Sequence, residues 1–474
     1  MSLVTKKNDF VKPELNRKKT VRQDRYETQG VNVTLTVEGK KYPVLNYSAL
    51  GVAVQCRPGE LQGTFEKCEL QAEGTTLATV DVEWVREEAN DEGSNKVGFR
   101  IIGEPLSIER VSLFPEIWKV VRSVNEHNER FSSVPTEFIS NVFRLKAGLQ
   151  KLEQKINSLH TDQNFLSRNQ IKDFEDTVIE VTGKAVFDLW KNTHDVLKKS
   201  LEGKDENCVR DSFQFFREHL KELLYQSPFA NRTFEKPRGY AGDYEMMNLI
   251  YNNHDMGNTL FARCIERSFL MCPEPQAVRN RASYLLERIL NRVRESSGPI
   301  KILSVASGPA VEVQRLVSEL GQEDLSRIEL HLLDQDEASL KYAQRKIHQV
   351  TSSLAVDFVP TLIQSSIKEI ISAGLPDQDY DIIYSAGLFD YFTDPVAHVA
   401  GKALLDGLKE SGSLIIGNFN ISTPNQFTMS LVFDWNLKYR SNDDLDRIFN
   451  YTESSLKIES EPENVNLFCV LKRS

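Results

Sequence analysis

The sequence lacks any apolar run of the roughly 18 residues a membrane-spanning helix needs, and it contains no CxxC pair. Its six cysteines (Cys56, Cys68, Cys208, Cys264, Cys272 and Cys469) are scattered. No His/Cys/Asp group has the spacing of metal ligands, so neither a disulfide framework nor a structural metal is expected. The first residues, Met1-Ser2-Leu3-Val4-Thr5-Lys6-Lys7, have no apolar core and no small-residue cleavage site, and the expected location is cytoplasmic. Positive charge is also scarce. With 58 Lys+Arg against 68 Asp+Glu the net charge is −10, which leaves no global field to hold nucleic acid. The first 25 residues break this trend with eight Lys/Arg against three acids. They read either as a solvated basic arm or as the start of an anion site.

What is present is an ordinary globular composition, 40% hydrophobic and 27% charged over 474 residues, enough for about three domains. Residues 31–102 alternate apolar and polar positions in short runs, such as Val31-Asn32-Val33-Thr34-Leu35-Thr36-Val37. The spacing predicts a small all-β barrel, with a hairpin loop at Ala89–Asn95. From Ser132 to about Arg294 the period is helical. Phe138, Val142, Leu145, Leu149, Leu152, Ile156 and Leu159 fall on a heptad seam. That seam fits a coiled coil at 135–160, which would make a homodimer, or one helix of an internal bundle with Gly148 inside it. From Ile300 apolar runs alternate with amphipathic stretches, as βαβ units do. At the end of the chain, Ser455–Ile458 and Leu467–Leu471 have no helix between them and predict an antiparallel edge.

The run Ile302–Val305 leads into Ala306-Ser307-Gly308-Pro309-Ala310, and Glu329–Leu333 ends at Asp334-Gln335-Asp336. A glycine after the first strand and an acid ending the second are the elements with which such a sheet holds a nucleoside. A single glycine followed by proline is a poor pyrophosphate loop and suits a nucleoside without phosphate.

With these elements the chain from about Ile300 onward resembles class I S-adenosylmethionine-dependent methyltransferases. The resemblance implies S-adenosylmethionine as cofactor. Gly308 would lie under its methionine part, Asp334 and Asp336 would take the ribose hydroxyls, and Gln364, Ser365, Ser366 and Ile367 would flank the adenine. Ala306 and Ala310 stand where the family more often has an acid and a glycine. Four further strings narrow the resemblance: Lys236-Pro237-Arg238-Gly239-Tyr240-Ala241-Gly242-Asp243-Tyr244, Ser385-Ala386-Gly387-Leu388-Phe389-Asp390-Tyr391, Gly417-Asn418-Phe419 and Asp434–Arg440. Together they resemble a bacterial family named for synthesis of 3-hydroxypalmitate methyl ester, over about Asn207 to Ser474. That implies a small or fatty acid as acceptor and adds Ser385 and Gly387 to the cofactor site.

A sulfonium methyl is already activated, so the enzyme must chiefly align acceptor, methyl and sulfur and exclude water. Arg238, Tyr240, Tyr244 and Tyr391 are the candidates to place an acceptor, with Asp243 or Asp390 as base where the acceptor is a hydroxyl. Phe389 and Tyr391 could equally pack against cofactor or core, and Asp243 could simply cap a helix starting at Tyr244.

Asn46-Tyr47-Ser48-Ala49-Leu50-Gly51 matches the [DN]xSxxG motif of PilZ domains, and Val97-Gly98-Phe99-Arg100 is similar to their closing strand. The resemblance implies cyclic di-GMP as a ligand of Arg22, Arg25, Asn46, Ser48 and Gly51. The arginine run is imperfect: Arg22 and Arg25 are three apart, and Lys18-Lys19-Thr20-Val21-Arg22 keeps a spacing of four with lysine first. The expected organisation is a multidomain chain: a PilZ-like β-barrel at 17–128, a helical segment at 129–275 and a Rossmann-like methyltransferase domain at 276–474. The expected function is methylation of a small or fatty acid under cyclic di-GMP control. The alternative is a non-catalytic regulator whose methyltransferase-like domain serves for docking.

Overall fold

A computed structural model describes residues 25–28, 31–89, 94–159 and 167–474. The chain divides into two compact units, Met1–Ser132 and Ser133–Ser474.

The first unit is built on β1 (Tyr26–Glu27), β2 (Val33–Val37), β3 (Lys40–Ser48), β4 (Gly51–Cys56), β5 (Thr64–Ala72), β6 (Thr75–Ala89) and β7 (Asn95–Ile102). The strands run in the order β1-β3-β2-β5-β6-β7-β4, and an added β3–β4 pairing closes β2 to β7 into a six-stranded barrel. Closure follows from the alternation: Val33, Leu35 and Val37 point inward with Val52, Val54, Leu70, Val82, Val97 and Phe99. β6 and β7 form the expected hairpin. The helix Ile108–Arg130 was not foreseen, because Pro115 lies inside it. Its Val111, Phe114 and Trp118 pack on the barrel core.

The second unit contains a mixed sheet of β8 (Ile300–Val305), β9 (Ile328–Asp334), β10 (Thr361–Gln364), β11 (Tyr380–Ser385), β12 (Leu408–Phe419), β13 (Ser454–Ser460) and β14 (Asn466–Arg473), in the order β10-β9-β8-β11-β12-β14-β13. β8 to β12 are mutually parallel, and β14 runs antiparallel between β12 and β13. Successive residues supply opposite faces. Ile302 and Ile382 join Leu285, Val313 and Leu340 in one core, while Leu303 and Ile383 join Ala400, Leu404 and Ile448 in the other. Helices therefore cover both faces, giving a three-layered α/β arrangement. The expected antiparallel pair is present, but only β13 is at the edge.

The heptad seam is an internal one. On the helix Thr136–Leu159, Phe138, Val142, Leu145, Leu149 and Ile156 are buried, packed on helices Arg168–Ser200, Glu206–Leu224 and Leu260–Leu270 of the same unit. Of the seam residues only Leu159 is exposed, which removes the coiled coil and the basis on which a homodimer was expected. Strict a/d spacing could not decide this, because a bundle helix packed on one side shows the same stripe. The helices of this segment are tied to the Gln426–Phe433 helix that follows β12. Arg217 Nε donates to Leu431 O (2.8 Å), Tyr225 OH to Val432 O (2.7 Å) and Trp190 Nε1 to Thr428 Oγ1 (3.1 Å).

Candidate active site

In the sheet, β9 and β10 lie on one side of β8 while β11 lies on the other, so the connections diverge at the carboxyl ends of β8 and β11. Open α/β sheets bind ligands at this switch point. A cavity of ≈ 290 Å³ opens there, floored by the β8–helix turn and by Asp334, and roofed by Tyr240, Gly242 and Trp435.

The floor is a strained turn. Ala306, Gly308 and Ala310 all have left-handed φ values (53°, 55° and 49°), a conformation that costs a non-glycine residue roughly 1 kcal/mol or more. The turn is held by Asp334 at the end of β9. Its Oδ2 accepts from Gly308 N (2.9 Å) and Ser339 Oγ (3.3 Å), and its Oδ1 from Asp336 N (3.0 Å). A carboxylate offers about four acceptor positions, so one remains for a ligand hydroxyl. Burial raises the Asp334 pKa, and these donors oppose the shift. A Cβ on Gly308 would meet nothing within 4 Å; the space beside it is open for a ligand. Ser365, Ser366 and Ile367 line the same end, and Ser366 caps the Ile367–Ala373 helix.

Of the other cofactor candidates, Gly387 lines the cavity, while Asp336, Gln364 and Ser385 do not. Asp336 caps the Glu337–Leu354 helix through Ala338 N and is gripped by both arms of Arg238. Ser385 is buried in β11 with its Oγ unpartnered.

Among the acceptor-placing candidates, Tyr240, Tyr244 and Tyr391 line the cavity and Arg238 does not. Tyr391 OH accepts from Trp435 Nε1 (2.8 Å). Gly242 makes this packing possible, since a Cβ there would lie 2.9 Å from Tyr391 OH and 3.1 Å from the Trp435 ring. Burial raises the Tyr240 hydroxyl pKa, leaving it a neutral donor.

The two candidate bases separate. Asp243 is fully buried, caps the Tyr244–Asn252 helix through Met246 N (2.8 Å) and takes both arms of Arg232 (2.9 and 2.8 Å). It does not line the cavity, so its place is structural. Asp390 does line it. Its Oδ1 accepts from Phe419 N (2.6 Å), and burial pushes its pKa up to about 6 against the pull of that bond and of Arg281 and Arg440. Phe389 is wholly buried in the sheet core. Arg440, the last residue of its string, is a buried clamp on Phe389 O (2.9 Å), Phe392 O (2.6 Å) and Asn418 Oδ1 (2.6 Å), which fixes the Phe389–Tyr391 turn.

Sequence reasoning missed Tyr251, Arg281, Glu312 and Tyr384, which line the inner end of the cavity. The Glu312 carboxyl, accepting from Tyr384 OH (2.8 Å), is buried and its pKa is raised by that burial. No local motif marks these residues; the signal was a charged residue on the apolar face of an amphipathic helix, Arg281 between Val278 and Leu285.

In the barrel, Asn46 and Ser48 lie at the end of β3 and Gly51 begins β4. Arg25 Nη1 donates to Asn46 Oδ1 (2.8 Å), so the arginine stands at the motif. Tyr26 stacks on Tyr47 (5.9 Å between ring centroids). Gly51 has a packing reason of its own, because a Cβ there would lie 2.9 Å from Phe99 O. Arg22, with the lysines before it, lies outside the described residues.

No family model matches the chain, and no curated protein matches it. Solved structures similar to it include a possible exported protein from Bordetella parapertussis, 16% identical with a TM-score of 0.40 over 49% of this chain and 79% of that one. Another is magnesium protoporphyrin IX methyltransferase from Synechocystis with bound SAH, 13% identical with a TM-score of 0.33, covering 42% and 87%. A third is the N-methyltransferase NodS from Bradyrhizobium japonicum in complex with SAH, 13% identical with a TM-score of 0.28, covering 41% and 87%. Likenesses of this size carry no weight for activity or ligand.

Proposed function

We propose that the second unit is an S-adenosylmethionine-dependent methyltransferase acting on a small acid, of the hydroxy fatty acid kind that its family resemblance implies. The observation that carries this reading is the cavity at the switch point, with an open Gly308, a buried Asp334 holding one acceptor position in reserve, and orphaned polar atoms at Ser307 Oγ and Arg281 Nε. Those groups suit a nucleoside joined to an amino acid. The cofactor supplies a methyl group already activated on its sulfonium. The chain's own contribution is orientation: Asp334 holds the ribose, Ser365–Ile367 flank the adenine, and Tyr240, Tyr244 and Tyr391 place the acceptor under the Gly242 roof. An ionised carboxylate attacks without a base; a hydroxyl acceptor would use Asp390. Release of S-adenosylhomocysteine over a panel of hydroxy fatty acids tests the reading, and a wild-type chain that binds no cofactor is the non-catalytic regulator instead.

Regulation by cyclic di-GMP is the second part of the proposal, favoured by Arg25 standing on Asn46 beside Ser48. Guanidinium forks suit phosphate and guanine edges. Heat on titrating cyclic di-GMP into the full chain, lost in Arg25→Ala and accompanied by a change in methyl transfer, supports it; heat with unchanged turnover, heat unchanged by that substitution, or no heat in the wild type ends it.

A further inference from the structure

Arg281, on the Pro273–Glu295 helix, is buried and is the one Lys, Arg or His among the described residues lining the cavity. It makes no ion pair within 4 Å. Its Nη2 donates to the thioether of Met247 (3.2 Å), a weak acceptor, its Nη1 reaches Ala386 O only at 3.5 Å, and it also interacts with the Tyr251 hydroxyl. Its Nε has no partner. A buried guanidinium left in this state is costly, and the usual resolution is an anion that takes the fork. Gly387 keeps the approach clear, since a Cβ there would lie 2.7 Å from Nη1.

Resting on the methyltransferase reading, we infer that Arg281 is the anchor for the carboxylate of a ligand in this cavity. Glu312 and Asp390 interact electrostatically with Arg281 and also line the cavity, as does Asp334. Burial favours the protonated forms of both Glu312 and Asp390, so the two offset the guanidinium charge only in part, and the space suits a singly charged carboxylate better than a doubly charged phosphate. That carboxylate has two sources, the amino-acid end of the cofactor and the acid group of the acceptor.

The test uses the full chain as wild type, Arg281→Met and Arg281→Lys. Each is titrated calorimetrically with S-adenosylhomocysteine and with 5′-methylthioadenosine, which lacks the amino-acid end. The chain saturated with S-adenosylhomocysteine is then titrated with 3-hydroxypalmitate and with its methyl ester. Weakening of S-adenosylhomocysteine by about tenfold or more in Arg281→Met, with methylthioadenosine unchanged, assigns the carboxylate to the cofactor. Unchanged S-adenosylhomocysteine with 3-hydroxypalmitate weakened to the level of its ester assigns it to the acceptor. Arg281→Lys, which restores a point charge without the fork, should fall between. Equal losses for S-adenosylhomocysteine and methylthioadenosine, or no loss for any ligand, overturn the inference while the methyltransferase reading stands. A wild type that binds neither nucleoside overturns that reading itself.

Discussion

Arg238 reaches across 98 positions of the chain to grip both carboxylate oxygens of Asp336, the residue that caps the helix after β9. The grip joins the Lys236–Asp243 loop to the rim of the cavity, and Lys236 fastens the loop's other end to Asp434 (2.6 Å). Arg238 also lies over the Tyr244 ring, 5.4 Å from its centroid.

Arg238→Lys should therefore loosen the loop while hardly changing stability. The pair is partly exposed, and such pairs contribute about 0–1 kcal/mol. The expected result is a severalfold weaker affinity for S-adenosylhomocysteine with a melting temperature within a few degrees of wild type. Affinity equal to wild type would show that the loop needs no latch.

Gly242→Ala should act on the acceptor side. Its methyl would push Tyr391 OH and the Trp435 ring from their present positions, and their hydrogen-bonded pair forms part of the cavity wall where the proposal puts the acceptor. Turnover is expected to fall by about tenfold or more, because misplacement by an ångström costs up to about a hundredfold. Cofactor affinity should be retained. Equal losses in both would place Gly242 in the cofactor site.

Asp390 predicts a pH dependence of stability. Its folded pKa, about 6, lies above the usual carboxylate value of 3.8, so the folded state holds its proton more tightly than the unfolded state does. The resulting stabilisation is present below about pH 4 and is lost as pH rises through about 6. Asp390→Asn keeps an acceptor for Phe419 N and cannot ionise. The stability difference between Asn variant and wild type should therefore shift in favour of Asn between pH 4 and 7. A difference that stays constant over that range contradicts the assignment.

The seam on the Thr136–Leu159 helix gives a sharper result now that its partners are known. Leu145 is 2% exposed against helices of its own chain, so Leu145→Asp buries a charge with no partner. It should destabilise the second unit by more than about 3 kcal/mol, with loss of helical signal on mild heating. Separation into folded monomers with unchanged melting would restore the intermolecular coiled coil.

Most strands of the second unit were legible because they are short apolar runs, such as Ile302–Val305 and Leu467–Leu471, whereas the four-residue β10 was not, and the barrel was legible because Val33, Leu35 and Val37 alternate with threonine. Gly308 and Asp334 were legible because local chain geometry alone makes a βαβ ligand site. Arg281, Glu312 and Tyr384 were not: they come from a helix before the sheet, the helix after β8 and a strand interior, and only tertiary packing turns them into one wall. Asp243 misled because a helix cap and a general base are the same residue type, and its partner Arg232 lies in another helix. The seam failed for the same reason, its periodicity showing that one face is buried but not against what.

On the proposed reading, the cavity beside Gly308 holds the cofactor. Titrating S-adenosylhomocysteine into the full chain tests it most directly, with Gly308→Val alongside, since valine would fill the open space and resist the left-handed backbone (φ 55°). Saturable one-to-one heat in the wild type, with affinity lower by about tenfold or more in Gly308→Val, is the predicted result. No heat in the wild type, or equal affinity in both proteins, would contradict it.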